Sequence, residues 1–216
     1  MTKPSVSRLS CARVPNRYGE FQLCLYSNSV DDKEHLAFVF GDVQGVDDVL
    51  VRVHSECFTG DVLGSQRCDC GEQLDRSMEM IGEAGRGVVV YMRQEGRGIG
   101  LADKLRAYVL QDEGHDTVDA NLILGHQADA RDYTVAALIL QDLGVSSVRL
   151  LTNNPAKIND LTALGVDVRS REAIEPRLVN QNNRQYLITK VERMNHLMDL
   201  GEPLTGGGSL GRAASH

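Results

Sequence analysis

The sequence VVVYM at residues 88–92 is followed at once by RQEGRGIG at residues 93–100. A continuous apolar run without alternation is typical of a strand that is buried on both faces of a parallel sheet. The next run contains three glycines, and residues 101–111 after it are predicted to form a helix. This order of strand, glycine-rich turn and helix predicts one unit of an α/β fold.

Further elements of the same kind lie on both sides of this unit. Alternating apolar residues at 21–25 and 36–40 predict an antiparallel hairpin. The other predicted elements are a strand at 49–53, helices at 72–83 and 132–143, a strand at 148–151, a short helix ending at Leu164, a strand starting at 165–168 and a helix at 186–200. We therefore expect an α/β fold, namely a three-layer domain with a largely parallel sheet, N-terminal antiparallel strands and a C-terminal helix.

The two ends of the chain differ from this pattern. Residues 1–17 are polar, and we expect them to form an irregular N-terminal segment. Residues 18–200 are expected to form the folded domain. Residues 201–216 contain three consecutive glycines and almost no apolar side chains, which predicts a disordered tail.

The composition excludes several classes of protein. The chain has 216 residues, of which 42% are hydrophobic, and this suits one domain or at most two small ones. Its net charge of −7 argues against a surface that binds nucleic acid or anionic lipid. There is no apolar run of about 18 residues and no secretory signal at the N-terminus, so we expect a cytoplasmic protein without a membrane partner.

The five cysteines fall into two groups. An odd number does not favour a disulfide framework in a cytoplasmic protein, and we expect Cys11 and Cys24 to be ordinary side chains. Cys57, Cys68 and Cys70 instead form a C-x10-C-x-C pattern in a turn-rich segment. That clustering separates them from the first pair.

The C-x10-C-x-C segment is a candidate zinc site, because thiolates are preferred zinc ligands. A disulfide between Cys68 and Cys70 would close a very small, strained ring. Three protein ligands leave a fourth position for water, which is the arrangement of a catalytic zinc. His54 is an alternative fourth ligand. Three buried, unreactive thiols are the alternative without a metal.

The run 93–106 is a candidate phosphate site. It has four basic residues against two acidic ones, within an acidic chain. Its glycines let backbone N–H groups near a helix N-terminus face an anion. It matches neither the P-loop nor the dinucleotide-binding motif. The alternative is a basic helix face that lies in solvent.

Two more polar segments are candidates for a site. The sequence DARDY at 129–133 carries Asp129 and Arg131, but it also suits a helix start at which Asp129 or Asp132 caps the helix and Arg131 is exposed. The sequence LTNNPAK at 151–157 follows a predicted parallel strand, where α/β proteins bind ligands. Local turn formation by Thr and Asn is the alternative there.

These segments, in this order, resemble the GTP cyclohydrolase II family, whose enzymes catalyse the first step of riboflavin synthesis. The resemblance rests on RVHSEC at 52–57, RCDCG at 67–71, RQEGRGIGL at 93–101, KLRAYVL at 104–110 and LTNNP at 151–155, and it covers about residues 18–200. The family also occurs fused to a dihydroxybutanone phosphate synthase domain. This chain has no room for one, so the resemblance implies the single-function form.

The resemblance implies a zinc-dependent hydrolase that opens the imidazole ring of GTP. Such an enzyme releases formate and pyrophosphate and forms 2,5-diamino-6-(5-phosphoribosylamino)pyrimidin-4-one. Cys57, Cys68 and Cys70 are implied to hold the zinc, Mg²⁺ to bind with the GTP phosphates, and the chain to form a homodimer. The positions that match the family's GTP-binding residues are Arg52, Val53, His54, Ser55, Glu56, Gln73, Glu95, Gly96, Arg97, Thr117, Thr152 and Lys157.

Three positions match catalytic residues of the family. Asp129 matches a proton acceptor, Arg131 a nucleophile, and Tyr108 a tyrosine near the guanine ring. Because a guanidinium has a pKa above about 12, electrostatic stabilisation of the transition state is the alternative role for Arg131. His126 departs from the family pattern, which has Phe or Leu there. It is either a surface substitution or the mark of a specialised paralogue.

Two other functions remain open on the sequence. One is a paralogue of the same family that feeds a secondary-metabolite pathway or stops at the formamide intermediate. The other is a non-catalytic, zinc-bearing regulator that binds a nucleotide. The presence of Asp129, Arg131 and the three clustered cysteines favours the enzyme over the regulator.

Overall fold

Within residues 3–176 and 179–200, which the computed structural model describes, seven strands form one sheet. The strands are β1 (Val6–Asn16), β2 (Gly19–Asn28), β3 (His35–Phe40), β4 (Val49–Ser55), β5 (Gly87–Met92), β6 (Val148–Leu151) and β7 (Val168–Glu172). Their order across the sheet is β1-β2-β3-β5-β4-β6-β7. The strand VVVYM thus lies at the centre.

The sheet changes from antiparallel to parallel at β5. The pairs β1–β2, β2–β3 and β3–β5 are antiparallel. The pairs β5–β4, β4–β6 and β6–β7 are parallel. The predicted fold class is therefore confirmed, with antiparallel strands from the N-terminal part and a parallel sheet in the core.

Helices cover both faces of this sheet. They are α1 (Phe58–Asp61), α2 (Cys70–Ala84), α3 (Leu101–Asp112), α4 (Thr117–Ile123), α5 (Thr134–Asp142), α6 (Pro155–Ala163) and α7 (Arg184–Met194), with a 3₁₀ turn at Glu95–Gly98. Val88 and Val90 of β5 pack in a core with α5 and α6, whereas Val89 packs in a second core with α2. Because both faces of β5 are buried, its sequence shows no polar alternation.

Residues 6–16 correct the expectation of an irregular N-terminal segment. They form β1, which pairs with β2 along almost its whole length. Nearly all of its side chains are exposed, so no apolar alternation marks this edge strand in the sequence. Its backbone pairing with β2 is what defines it as a strand.

Cys11 and Cys24 correct a second expectation, because they form a disulfide instead of remaining ordinary side chains. They lie directly opposite each other on β1 and β2, with their Cα atoms 4.1 Å apart. The register of the two strands brings them together, and that register could not be foreseen while β1 was expected to be irregular.

The remaining differences concern the ends of helices. The helix predicted at 186–200 ends at Met194, because Asn195 adopts a left-handed backbone with a φ of 54°. The short helices α1 and α4 were not predicted. The tail predicted at 201–216 lies outside the described residues. No helix in the part of the chain that the structure describes is long and apolar enough to cross a membrane.

Candidate active site at the carboxyl ends of the parallel strands

A cleft lies where β4, β5 and β6 end. Because these strands are parallel, their carboxyl ends meet at the same edge of the sheet, and the segments that follow them line the cleft. The space between its lining side chains is about 1030 Å³, which includes open solvent. A cleft at this edge is a common ligand-binding position in α/β proteins.

Three cysteines form one wall of the cleft. Cys57 precedes α1, Cys70 begins α2, and Cys68 lies in the loop between them. Their sulfur atoms all lie within 4.8 Å of one another, and the Sγ atoms of Cys57 and Cys68 are 3.7 Å apart. We call these three residues the cysteine wall.

A glycine makes this close approach possible. A Cβ on Gly60 would lie only 3.1 Å from the Sγ atoms of both Cys57 and Cys68. A larger side chain at position 60 would therefore crowd the sulfur atoms, and Gly60 leaves them room to lie close together.

Cys57 of the cysteine wall lies beside a buried cation, Lys104. Hydrogen bonds from Cys68 and Cys70, together with the nearby Lys104 ammonium, lower the pKa of Cys57. The interaction with Cys57 in turn raises the pKa of Cys68 to about 11. Lys104 Nζ lies 3.0 Å from Cys57 Sγ and 2.7 Å from a Glu95 carboxylate oxygen.

The donor set of the cysteine wall fits a zinc ion, because three cysteine sulfurs, the ligand atoms that zinc prefers as thiolates, lie within 4.8 Å of one another. It is the one group of at least three metal-binding side chains found among residues 3–176 and 179–200. His54 is not part of this group. Its Nε2 lies 3.0 Å from each carboxylate oxygen of Asp61, and burial lowers its pKa.

The base of the cleft is a buried polar network. Arg52 Nη2 donates to Gln73 Oε1 at 2.7 Å, and Gln73 Nε2 donates to Asp69 at 2.7 Å. Lys190 Nζ contacts the other oxygen of Asp69 at 2.5 Å. Asp69 lies between two of the clustered cysteines, so this network connects the cysteine loop to β4 and α7.

Three basic residues also line the cleft, and we call Arg97, Arg131 and Lys157 the cationic wall. Lys157 Nζ donates to the Val53 carbonyl at 2.7 Å, and no ion pair to a carboxylate is found for it among the described residues. Burial and the charges of Arg52 and Arg131 lower the pKa of Lys157. A buried amine surrounded by other cations is a suitable partner for an anion.

Arg97 lies in the glycine-rich turn after β5. Its backbone is left-handed, with a φ of 63°, and its carbonyl accepts a hydrogen bond from Ala130 N at 3.1 Å. Arg97 Nη2 is buried and has no hydrogen-bond partner within the described ranges. The run 93–100 therefore places the Arg97 guanidinium at the cleft and not on a solvent-exposed basic face.

Arg131 and Asp129 form an ion pair beside the cleft, in which Arg131 Nε donates to Asp129 Oδ1 at 2.8 Å. Burial opposes the charge of Arg131, but Tyr133 and Asp129 raise its pKa above the ordinary value. The side chain of Arg131 is 14% exposed and precedes α5. The alternative of an exposed arginine at a helix start is therefore wrong.

Tyr108 faces the cysteine wall from α3. Its hydroxyl lies 3.1 Å from Thr59 Oγ1, and the Arg67 guanidinium lies 4.4 Å from the centre of its ring. Burial raises the pKa of Tyr108, which keeps the phenol protonated. Tyr108 is therefore a hydrogen-bond donor or acceptor inside the cleft.

The structure brings almost all predicted site residues into this one cleft. Its lining includes Arg52, His54, Ser55, Glu56, Cys57, Cys68, Cys70, Gln73, Glu95, Gly96, Arg97, Tyr108, Thr117, Arg131, Thr152 and Lys157. Asp129 does not line the cleft itself but contacts Arg131, which does. The Val53 side chain lies in the core, and its carbonyl accepts the hydrogen bond from Lys157.

Several lining residues were missed at the sequence level. Arg67, Asn153 and Asn154 lie in segments that the sequence analysis singled out, but they were given no role there. The lining residues outside these segments are Gln111, Asn121, Tyr186, Lys190, Met194 and His196. Four of them come from α7 and the residues after it, and Tyr186 and Lys190 share a helix face because they are four positions apart. His126 does not line the cleft, and its Nε2 contacts Asp103 on α3 at 2.6 Å.

A family comparison agrees with this geometry. A model of the family described as GTP cyclohydrolase II matches residues 7–173, which include both walls of the cleft. The chain belongs to the GTP cyclohydrolase II family. The matched residues contain nearly the whole sheet, the three cysteines and the cationic wall.

Curated relatives extend the comparison. The chain is 57% identical over 203 residues to "Riboflavin biosynthesis protein RibBA" of Mycobacteroides abscessus, a match that covers 91% of this chain and 48% of that protein. It is 58% identical over 196 residues to the protein of the same name from Rhodococcus jostii, covering 88% and 47%. The chain thus spans about half the length of these relatives.

A solved structure is also similar. It is the crystal structure of RibBX, a two-domain 3,4-dihydroxy-2-butanone 4-phosphate synthase from A. baumannii. The match has a TM-score of 0.46 and 26% identity, and it covers 79% of this chain and 41% of that chain. At this level of similarity no conclusion about the fold or the site follows.

Proposed function

We propose that this chain hydrolyses GTP, opening its imidazole ring and releasing formate and pyrophosphate, as the first step of riboflavin biosynthesis. The product is 2,5-diamino-6-(5-phosphoribosylamino)pyrimidin-4-one. The observation that carries the proposal is that the cysteine wall and the cationic wall line one cleft, in a member of the GTP cyclohydrolase II family. The relatives named for riboflavin biosynthesis support the pathway.

Cys57, Cys68 and Cys70 would hold a zinc ion. When bound, a three-thiolate zinc supplies a hydroxide near neutral pH, which is the nucleophile that ring opening at the purine C8 requires. The chain itself keeps these sulfurs close through Gly60 and keeps Lys104 beside Cys57, where the ammonium offsets part of the thiolate charge.

The cationic wall would bind the phosphate chain of GTP. Lys157 and Arg97 offer charge without a carboxylate partner within the described residues, and a triphosphate supplies the missing negative charge. Arg52 donates a hydrogen bond to the Leu151 carbonyl, and Lys157 donates one to the Val53 carbonyl. These hydrogen bonds hold both cations in place before the substrate binds. Such preorganisation lowers the energetic cost of stabilising charge that develops during the reaction.

We assign Arg131 the role of electrostatic stabiliser at the phosphorus atom that is attacked. Tyr133 and Asp129 raise the pKa of Arg131 despite its burial, so the guanidinium keeps its proton. A protonated guanidinium has no free electron pair for nucleophilic attack, but it stabilises phosphoryl oxygens well. Asp129 would orient Arg131 through their ion pair.

Tyr108 would contact the purine or the formamide that forms from it. It lies on the cysteine side of the cleft, where Thr59 and Arg67 hold it in place. As a neutral phenol it can donate a hydrogen bond to a carbonyl oxygen without adding charge near the thiolates.

Mg²⁺, the homodimer, the cytoplasmic location and the single-function form remain predictions. No group of three or more clustered His, Cys, Asp and Glu ligands other than the cysteine wall is found in the described part of the chain. A Mg²⁺ ion would therefore enter the cleft together with the phosphates and be held largely by their oxygens.

A turnover assay with mass spectrometry of the products tests the proposal. The purified protein, incubated with GTP and Mg²⁺, should release formate and pyrophosphate in equal amounts and form the diaminopyrimidinone. A product that retains the formyl group would show the paralogue that stops at the formamide. Binding of GTP without any turnover would show the non-catalytic regulator, and neither outcome is compatible with the proposed reaction.

A further inference from the structure

The C-terminal segment 184–200 forms a wall of the cleft, although the family match ends at residue 173. Tyr186, Lys190, Met194 and His196 of this segment line the cleft. None of them was among the residues expected to bind the substrate. The segment therefore adds side chains to the site that the motifs recognised in the sequence do not contain.

The segment is attached on both sides of the cleft. Lys190 Nζ contacts Asp69 at 2.5 Å, next to the cysteine wall. Leu197 N donates to the Asn153 carbonyl at 2.8 Å, in the loop that follows β6. These two attachments define the position of the residues between them.

His196 lies between these attachments. After α7 ends, the left-handed Asn195 reverses the chain, and His196 N donates to the Lys190 carbonyl at 3.0 Å. Both ring nitrogens of His196 are buried and lack a hydrogen-bond partner among residues 3–176 and 179–200. Buried polar atoms without a partner are rare in proteins, and at the lining of a cleft they indicate a ligand.

The charges around His196 indicate which kind of ligand. Lys190, Arg131, Lys157 and Arg97 all act on its ring, and with burial they lower its pKa to about 2, so the imidazole is neutral. Lys190 and Arg131 have carboxylate partners. Neither Lys157 nor Arg97 has an ion pair within the described ranges. The surroundings therefore have excess positive charge and favour a ligand with several negative charges.

We infer that His196 binds the phosphate chain of the substrate by donating an N–H hydrogen bond to a phosphate oxygen. This inference rests on the proposed function for the identity of the substrate. The chemistry itself requires only a polyphosphate. His196 is a binding residue in this scheme, and the cationic wall supplies the charge that holds the phosphates next to it.

Binding of inorganic tripolyphosphate to the full chain tests the inference by calorimetry. His196→Leu removes both ring nitrogens, and the dissociation constant should rise about tenfold or more, as expected for a lost hydrogen bond to a charged group. His196→Gln keeps an N–H donor and should stay within about threefold of the wild type. His115→Leu is the matched control, because His115 is exposed and does not line the cleft.

Unchanged tripolyphosphate affinity in His196→Leu, or no binding by the wild-type chain, would overturn the inference. If His196→Leu fails to fold, the imidazole ¹⁵N signal of His196 in the wild type replaces it. That signal should shift when tripolyphosphate is added, and a constant signal would count against the contact. A wild type that binds tripolyphosphate through His196 but does not turn over GTP would refute the proposed function and leave this inference in place.

Discussion

The cysteine wall and the cationic wall line the same cleft but suit ligands of opposite charge. In the cysteine wall, three sulfurs lie within 4.8 Å of one another, and Lys104 Nζ lies 3.0 Å from Cys57 Sγ. In the cationic wall, Lys157 is buried among other cations, and within the described residues its hydrogen-bond acceptor is the Val53 carbonyl and no carboxylate. Clustered cysteine sulfurs suit a metal cation, whereas buried cations without an ion pair suit an anion.

The two walls are also built differently along the chain. The three cysteines come from 14 consecutive residues, 57–70, and their loop sets their spacing. Arg97 comes from the turn after β5, Arg131 from the loop before α5 and Lys157 from α6, and only the tertiary structure brings these separate segments together. If the walls serve two different hydrolyses, changes in one wall should leave the reaction of the other intact.

The largest effect is expected for Cys68→Ser, which replaces a thiolate ligand by a neutral hydroxyl. The variant should lose zinc and stop releasing formate, yet still release pyrophosphate and accumulate GMP with a closed imidazole ring. Metal analysis and mass spectrometry measure both results. Circular dichroism must show a folded chain, and a folded variant that releases neither product would mean that the two steps are coupled.

Arg131→Lys breaks the cationic wall while keeping its charge. Loss of the planar guanidinium should lower turnover by at least about a hundredfold, because a transition-state contact worth several kcal/mol disappears. Zinc content should equal that of the wild type. Steady-state kinetics and metal analysis on the same preparation check this, and near-normal turnover would remove Arg131 from the catalytic scheme.

Lys157→Met should weaken function and strengthen the fold. The KM for GTP should rise about tenfold, because a phosphate contact is lost. The pKa of Lys157 is lowered from 10.5 in the folded chain, so between the lowered pKa and 10.5 the unfolded chain binds more protons and wild-type stability rises with pH.

The methionine variant lacks this contribution to the pH dependence. At neutral pH its free energy of unfolding should exceed that of the wild type by about 1–3 kcal/mol, as when a buried charge is replaced by an apolar side chain. Urea unfolding at several pH values provides the test. A less stable variant would show that the hydrogen bond to the Val53 carbonyl outweighs the burial of the amine.

The smallest effect on activity is expected for the double variant Cys11→Ser and Cys24→Ser, which serves as the control for Cys68→Ser. The disulfide lies on β1 and β2, and neither cysteine lines the cleft. Zinc content and turnover should stay within about twofold of the wild type. Stability should fall by at most about 3 kcal/mol for a loop of this length. A large loss of zinc would contradict the separation of the two cysteine groups.

Local sequence patterns were sufficient for the parallel half of the fold. Val88 to Met92, the helix after Gly100 and the strand at 148–151 were all predicted. For Val88 to Met92, burial on both faces of the sheet leaves an unbroken apolar run that can be recognised without knowledge of its partners. β1 was missed for the opposite reason. An edge strand with exposed side chains carries little signal beyond its backbone pairing.

The sequence by itself determined the cysteine loop and the family. Cys57, Cys68, Cys70 and Gly60 lie close together along the chain, so their spacing already limits how far apart the sulfurs can be. Only the tertiary structure decided which cations face the cleft without a carboxylate, that Cys11 pairs with Cys24, and that His196 reaches the site. These results depend on strand register and on how the loops and α7 pack, and such long-range contacts leave no fixed spacing in the sequence.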